Sequence, residues 1–290
     1  MSDERELRNA VFSAGAPAGI NPNIPSMSSA DKMKAEFGLD VPLDTVPIPS
    51  QGKVYPPGSV LHNRDSVEIR AMTAREEDIL TSRALGKKGT VINELLKSCL
   101  TDSRINPLDM LSGDRQALMV AIRITGYSEQ YDAEMQCEEC NSKSKRVFDL
   151  SQLPLKFLNI DPVEPGRNLF EFLLPYTKKI VRFRFLTGRD ELEMFETAER
   201  QKKLGIGGDN LVTANLTTSI VSVDGREDRS ALAQFVKIMP ARDSLALRSY
   251  ISDNEPGIVM KQEAACGVCG HSEEVNMPMG ATFFWPSAGR

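Results

Sequence analysis

Four of the five cysteines in this chain fall into two CxxC units, Cys137-Glu-Glu-Cys140 and Cys266-Gly-Val-Cys269. Each unit offers two thiolates to one ion. Together they supply the four soft donors that close a tetrahedral Zn²⁺ shell and leave no position for water. The units lie 129 residues apart (266 − 137), and each is followed by a turn former, Asn141 or Gly270. A turn there folds the backbone back and aims N–H groups at sulfur. A redox dithiol is the competing chemistry, but it usually opens a helix and lowers one thiol's pKa. Glu138 and Glu139 between the first pair would instead oppose ionisation. The spacing therefore predicts one structural Zn²⁺ held by Cys137, Cys140, Cys266 and Cys269. The fifth cysteine, Cys99, sits in an apolar helical pattern and reads as an inert core residue.

Other chemistry is thinly represented. There are two histidines, His62 and His271, and neither stands in a pattern that suggests a base or a catalytic ligand. Leu85-Gly-Lys-Lys-Gly-Thr90 lacks the spacing of a phosphate loop and follows a helical pattern, not a strand; Gly205-Ile-Gly-Gly has the same failing. Acidic pairs such as Glu76-Glu77 and Asp190-Glu191 fall in first helical turns, where the macrodipole accounts for them. No nucleophile stands with a base, so no catalytic residue and no small-molecule substrate is assigned. The chain reads as a non-enzyme. Its 290 residues, 41% hydrophobic and 26% charged, suffice for one large domain or two ordinary ones. A net charge of −5 argues against electrostatic grip on nucleic acid, and no apolar run is long enough to span a bilayer. The opening Met1-Ser-Asp-Glu-Arg-Glu does not resemble a signal peptide, and knuckle-paired cysteines suit a reducing cytoplasm.

The elements that must position the cysteines come in two similar series. Residues 1–46 are rich in Pro, Gly, Ser and Asn and read as an extended N-terminal arm, with a short helix expected over Ala30 to Leu39. Residues 47–150 form a first unit: a strand at Val67 to Met72, a capping box at Thr73 and Glu76, and a helix from Ala74 to Leu85. Further helices follow at Val91 to Leu100 and from a capping Asp114, then strands on either side of the first knuckle. Residues 151–290 repeat the order: a strand at Ile180 to Phe185, a capping box at Thr187 and Asp190, and a charged helix to Leu204. A helix from Asn210 to Ser222, a capping Asp243 and the second knuckle complete it. Asp243 follows Asp114 by 129 residues (243 − 114), the offset that separates the knuckles. We therefore expect an α+β fold of two duplicated strand–helix units joined by a shared four-cysteine, zinc-ribbon-like site.

The chain closes on Phe283-Phe284-Trp285-Pro286. These aromatics either complete the protein's own sheet or anchor it in a partner pocket, and the partner-binding assignment is Phe283, Phe284 and Trp285.

Pro49-Ser-Gln-Gly-Lys-Val-Tyr-Pro, Ile69-Arg-Ala-Met-Thr-Ala-Arg-Glu-Glu-Asp-Ile-Leu, and Gly113 to Tyr127 leading to the Cys137 knuckle resemble the T4-type baseplate hub assembly proteins of tailed phages. The closing Phe283-Phe-Trp-Pro adds to the resemblance. It implies a virus-encoded chaperone or minor structural protein of a contractile tail. Such a protein acts on phage baseplate and hub proteins in the host cytoplasm during assembly, or stays in the virion. A zinc-ribbon nucleic-acid-binding or transcription factor is the alternative. Charge discriminates the two, because a nucleic-acid ribbon clusters Lys and Arg at its knuckles. Lys143, Lys145 and Arg146 are offset by Glu138, Glu139, Glu273 and Glu274.

Overall fold

The computed structural model describes residue 38 and residues 41–204, 211–277, 279 and 281–284. The arm up to residue 37, the Gly205 to Asp209 turn and Trp285 lie outside the described residues, as does the helix expected over Ala30 to Leu39 apart from Gly38. The chain divides into residues 1–41 and a body of residues 42–290. β1 (Leu43–Pro47) pairs antiparallel with β2 (Ser66–Arg70) and belongs to the body.

The body is mixed α and β with small antiparallel sheets. After β2 come α1 (Ala74–Thr81), α2 (Arg83–Lys88), α3 (Val91–Cys99) and α4 (Ser112–Gly126). The hairpin of β3 (Gln130–Gln136) and β4 (Lys143–Asp149) follows. The second half opens with β5 (Leu155–Lys156), β6 (Phe170–Leu173) and β7 (Ile180–Phe183). Next are α5 (Gly188–Lys203), α6 (Leu211–Ser219), β8 (Ile220–Val223), α7 (Arg229–Ile238) and α8 (Ala241–Asn254). It ends in β9 (Gly257–Ile258), the hairpin of β10 (Lys261–Ala265) and β11 (Ser272–Asn276), and a 3-10 turn at Ala281–Phe284.

Two expected helices end differently. The helix expected from Ala74 to Leu85 breaks at Ser82, which turns extended and accepts the Leu85 N–H on its hydroxyl. A short polar side chain capping its own backbone competes with helix continuation there. The helix expected to reach Ser222 stops at Ser219, because Ile220-Val-Ser-Val is β-branched and adds to β7 as a third strand.

Each half carries the same lock at its first helix. Thr73 donates its N–H to Glu76 at 2.8 Å, and Thr187 does the same to Asp190 at 2.8 Å. An arginine six residues upstream of each carboxylate pairs with it at 2.6 Å, Arg70 with Glu76 and Arg184 with Asp190. Burial opposes ionisation of Glu76, but donors from Arg70, Ser98 and Thr73 hold its carboxyl down to about 2.

Asp114 and Asp243, expected to cap α4 and α8, instead stand in their first turns and reach outward. Asp114 accepts from Ser50 N at 2.8 Å, Ser50 Oγ at 2.6 Å and Tyr55 Oη at 2.5 Å. Asp243 accepts from Tyr176 N at 2.7 Å, Thr177 N at 3.0 Å and Thr177 Oγ1 at 2.7 Å. In both halves the carboxylate thus pins the connection between the two opening strands onto the last long helix. That long helix leads into the knuckle hairpin, so the lock fixes where the hairpin starts.

Core packing joins the halves. Leu95, Leu96, Leu118 and Ile122 are fully buried in the first, as are Val181, Phe183, Ile220 and Leu247 in the second. The start of α4 sits against the backbone that follows α8, where a Cβ on Gly113 would collide with the Pro256 carbonyl oxygen. Gly113→Ala should therefore destabilise by about 1–3 kcal/mol or more, as overpacking against rigid backbone does. Gly86→Ala inside α2 meets nothing within 4 Å and should stabilise by about 0.5–1 kcal/mol. Urea unfolding of both variants checks the opposite signs. Glu76 gives a pH test. Its folded pKa lies below its ordinary value of 4.5, so its contribution is full above that value and is lost as pH falls toward 2. The stability difference between wild type and Glu76→Gln should shrink across that window.

Candidate metal centre

The two knuckles meet. β3 carries Cys137 out of an alternating strand in which Tyr131 and Ala133 face the core, and β10 does the same for Cys266 through Ala264. In each hairpin six residues separate the last strand pair, between Gln136 and Lys143 or between Ala265 and Ser272. The turns are built alike. Cys137 N donates to Ser142 O at 3.0 Å and Cys266 N to His271 O at 2.8 Å, while Asn141 N and Gly270 N each fold back on the first cysteine's carbonyl at 2.9 Å. Asn141 (φ 55°) and Gly270 (φ 73°) take the left-handed conformation that this reversal requires.

The four sulfurs of Cys137, Cys140, Cys266 and Cys269 lie within 4.8 Å of one another and could hold a metal ion. Cys137 Sγ is 3.8 Å from Cys269 Sγ, and Cys140 Sγ is 3.8 Å from Cys266 Sγ, so each contact joins one knuckle to the other. All four are free thiols, Cys137 and Cys266 buried and Cys140 and Cys269 exposed. Their protons are unequally held. Backbone N–H groups of Cys269 and Val268 pull the Cys266 thiol down to about 5. Cys269 accepts from the His271 N–H, yet the crowding Cys140 thiol, burial and its other sulfur neighbours push it up to about 12. Were all four deprotonated, sulfurs this close would call for a cation among them. Cys99 is buried and pushed up to about 12 by burial.

A buried arginine braces the joint. Arg146 on β4 pairs with Glu273 on β11 at 2.5 Å and donates to Ala264 O at 3.3 Å. It faces inward in alternation with Phe148, a parity that the strand pattern holds and that grouping Arg146 with Lys143 and Lys145 as a basic cluster overlooks. Of the cations after the first knuckle, Arg146 is enclosed, and Lys145 stands directly opposite Glu134.

The C-terminal aromatics behave differently from the partner-anchor expectation. Phe283 and Phe284 are 0% and 1% exposed. Phe283 meets Tyr131 edge-on at 5.2 Å, and its carbonyl accepts from the buried Arg123 Nε at 3.0 Å. These two rings fill the protein's own core beside β3, so they offer no surface to a partner. Arg123 also donates to Ser128 O and Gln130 O, a bracket that no local sequence pattern marks.

A family model described as the T4 bacteriophage base plate protein matches residues 44–285. The chain belongs to that family. The family match takes in both opening strand pairs, both knuckles and the closing turn, so it extends past the first half that carries most of the motif resemblance. No curated protein and no solved structure matches the chain. The family places the chain with phage baseplates and a structural role. Among the described residues no helix is long and apolar enough to cross a membrane.

One metal ion per chain is the expected content. Cys266→Ser should remove it, since three thiolates and a hydroxyl bind soft metals far more weakly. Both hairpins should then loosen together. Metal analysis with amide exchange of β3–β4 and β10–β11 checks this, and retention of a full equivalent in the variant refutes it.

Proposed function

We propose that this chain is a non-enzymatic assembly chaperone or minor structural component of a contractile-tail baseplate hub, holding one structural Zn²⁺. The family match over residues 44–285 carries the reading. Zinc is supported by the donor set and the geometry: a tetrahedron with Zn–S bonds of about 2.3 Å has edges of about 3.8 Å, and the two inter-knuckle sulfur distances are 3.8 Å. A closed shell of this kind stabilises a fold and leaves no position for substrate.

The zinc-ribbon unit is the junction of two copies of one α+β module in this reading, the first over residues 47–150 and the second over residues 151–290. Support comes from details that a shared fold class does not require. The arginine-locked capping boxes, the aspartates that pin the opening connection and the six-residue knuckles recur in one order. The second half also lends a segment to the first, since Phe283, after the second knuckle, packs on Tyr131. The two 3.8 Å sulfur contacts, each joining one knuckle to the other, suit a pseudo-twofold arrangement about the metal.

Partner contact falls to residues 1–41 and to Trp285 in this reading, since Phe283 and Phe284 are committed to the core. Deleting residues 1–41, or changing Trp285 to Ala, should leave zinc content and melting temperature unchanged. Copurification with the other baseplate proteins expressed beside it should fall at least tenfold. Phe284→Ala is the contrast: it should cost about 3–5 kcal/mol of stability. If both the deletion and Trp285→Ala copurify normally, partner binding through the chain ends is refuted. If the intact chain binds no baseplate protein at all, the hub reading fails.

A further inference from the structure

A cleft of about 820 Å³ opens where the two halves meet. Its apolar wall is methionine-rich, with Met119 from α4, Met260 and Met279 from the second half, and Phe195 of α5 at one end. Unbranched thioethers adapt to varied side chains and recur on surfaces that accept peptides. Facing into the same cleft is Arg115, only 3% exposed. Nη1 donates to Asn93 Oδ1 at 2.6 Å and Pro107 O at 2.8 Å, and the Gly188 backbone lies so near the guanidinium that no Cβ would fit. The cation is therefore set in place before anything binds.

Its remaining valence is incomplete. Arg115 Nε lies 3.2 Å from Glu191 Oε2, an ion-pair distance, but makes no aligned hydrogen bond. Ser112 Oγ, also lining the cleft, is buried with no partner. Buried polar atoms are nearly always satisfied, so an unpartnered Ser112 hydroxyl beside a poorly aligned Arg115–Glu191 pair points to a further acceptor in the cavity. Ser112 also opens the 15-residue helix α4, whose positive end favours an anion. Glu191 is 44% exposed in the side chain, so it can swing away at little cost.

We propose that this cleft binds a segment of a partner protein that sets a carboxylate against Arg115 and Ser112 and lays aliphatic side chains on Met119, Met260 and Met279. Arg115, Lys156 and Lys261 line the cleft together with Glu191 and Glu255, a near balance of charge that suits one carboxylate better than a phosphate dianion. The apolar wall asks for neighbouring aliphatic groups that a free anion lacks. The inference rests on the chemistry of the cleft and goes beyond the baseplate reading, so either can fail without the other.

The test uses the full-length, metal-loaded protein with ¹³C-methyl methionine. The probes are acetyl-Leu-Leu-Glu, its Gln analogue and inorganic phosphate. The expected result is a saturable shift of the Met119, Met260 and Met279 methyls with the Glu peptide, and binding at least tenfold weaker for the Gln peptide. Arg115→Ala also strips Asn93 and Pro107 of their donor and can unfold the chain, so the deciding variant is Glu191→Gln. With the competing carboxylate gone, the Glu peptide should bind several-fold more tightly. Equal binding of the two peptides, absence of methyl shifts, or unchanged or weaker binding in Glu191→Gln overturns the proposal. Phosphate alone reproducing the shifts also overturns it, in favour of a simple anion site.

Discussion

Mutual repulsion among four sulfurs is the constraint around which this molecule is arranged. Thiolates within 4.8 Å of one another in a partly buried site cannot all carry charge unless a cation sits between them. The protein prepares for that cation with backbone N–H groups aimed at Cys266 and with left-handed turns at Asn141 and Gly270. Two-stranded hairpins are marginal by themselves in water. Both knuckle hairpins therefore depend on what holds their tips, the cluster of four sulfurs, and on what holds their bases, the helices α4 and α8. The carboxylates of Asp114 and Asp243 secure those helices to the opening strands of their halves. A chain of dependence thus runs from the sulfurs back to the first loops.

Much of this is legible in the sequence, because local signals are strong where chemistry is local. CxxC spacing, capping boxes and the period of β3 and β7 each require only a few adjacent residues. What escapes is decided at long range. Asp114 looks like a cap because its own helix begins nearby, yet Ser50 and Tyr55, far away in the chain, compete more strongly for its oxygens. Ile220-Val-Ser-Val reads equally as the end of a buried helix or as a strand, and only the open edge of β7 decides. Phe283 and Phe284 look too aromatic for one small core, but the vacancy they fill belongs to the other half. Arg146 passes for a surface cation in a basic run, although its parity in the strand puts it inside.

Family membership and geometry bear on function in different ways. The match to the base plate family names the assembly in which the chain works, and nothing in the side-chain arrangement names it independently. The geometry says what kind of component it is. The four-sulfur cluster, Arg146 and the paired arginine locks tie distant segments of the body together, and preorganised surfaces lose little entropy when they bind.

The packing of Phe283 and Phe284 into the first half also sets the order in which this chain can mature on the ribosome. The first half is fully synthesised by residue 150, yet the space beside Tyr131 and Arg123 waits for Phe283 and Phe284. At a synthesis rate of roughly 5–20 residues per second, that wait lasts roughly 7–27 seconds. Through that interval the nascent chain displays an open hydrophobic cavity and a lone pair of thiols at Cys137 and Cys140. Both are then closed by residues 266–284. The first half is thus sealed by the second, and a product truncated before Cys266 would expose the very surfaces that the longer chain hides.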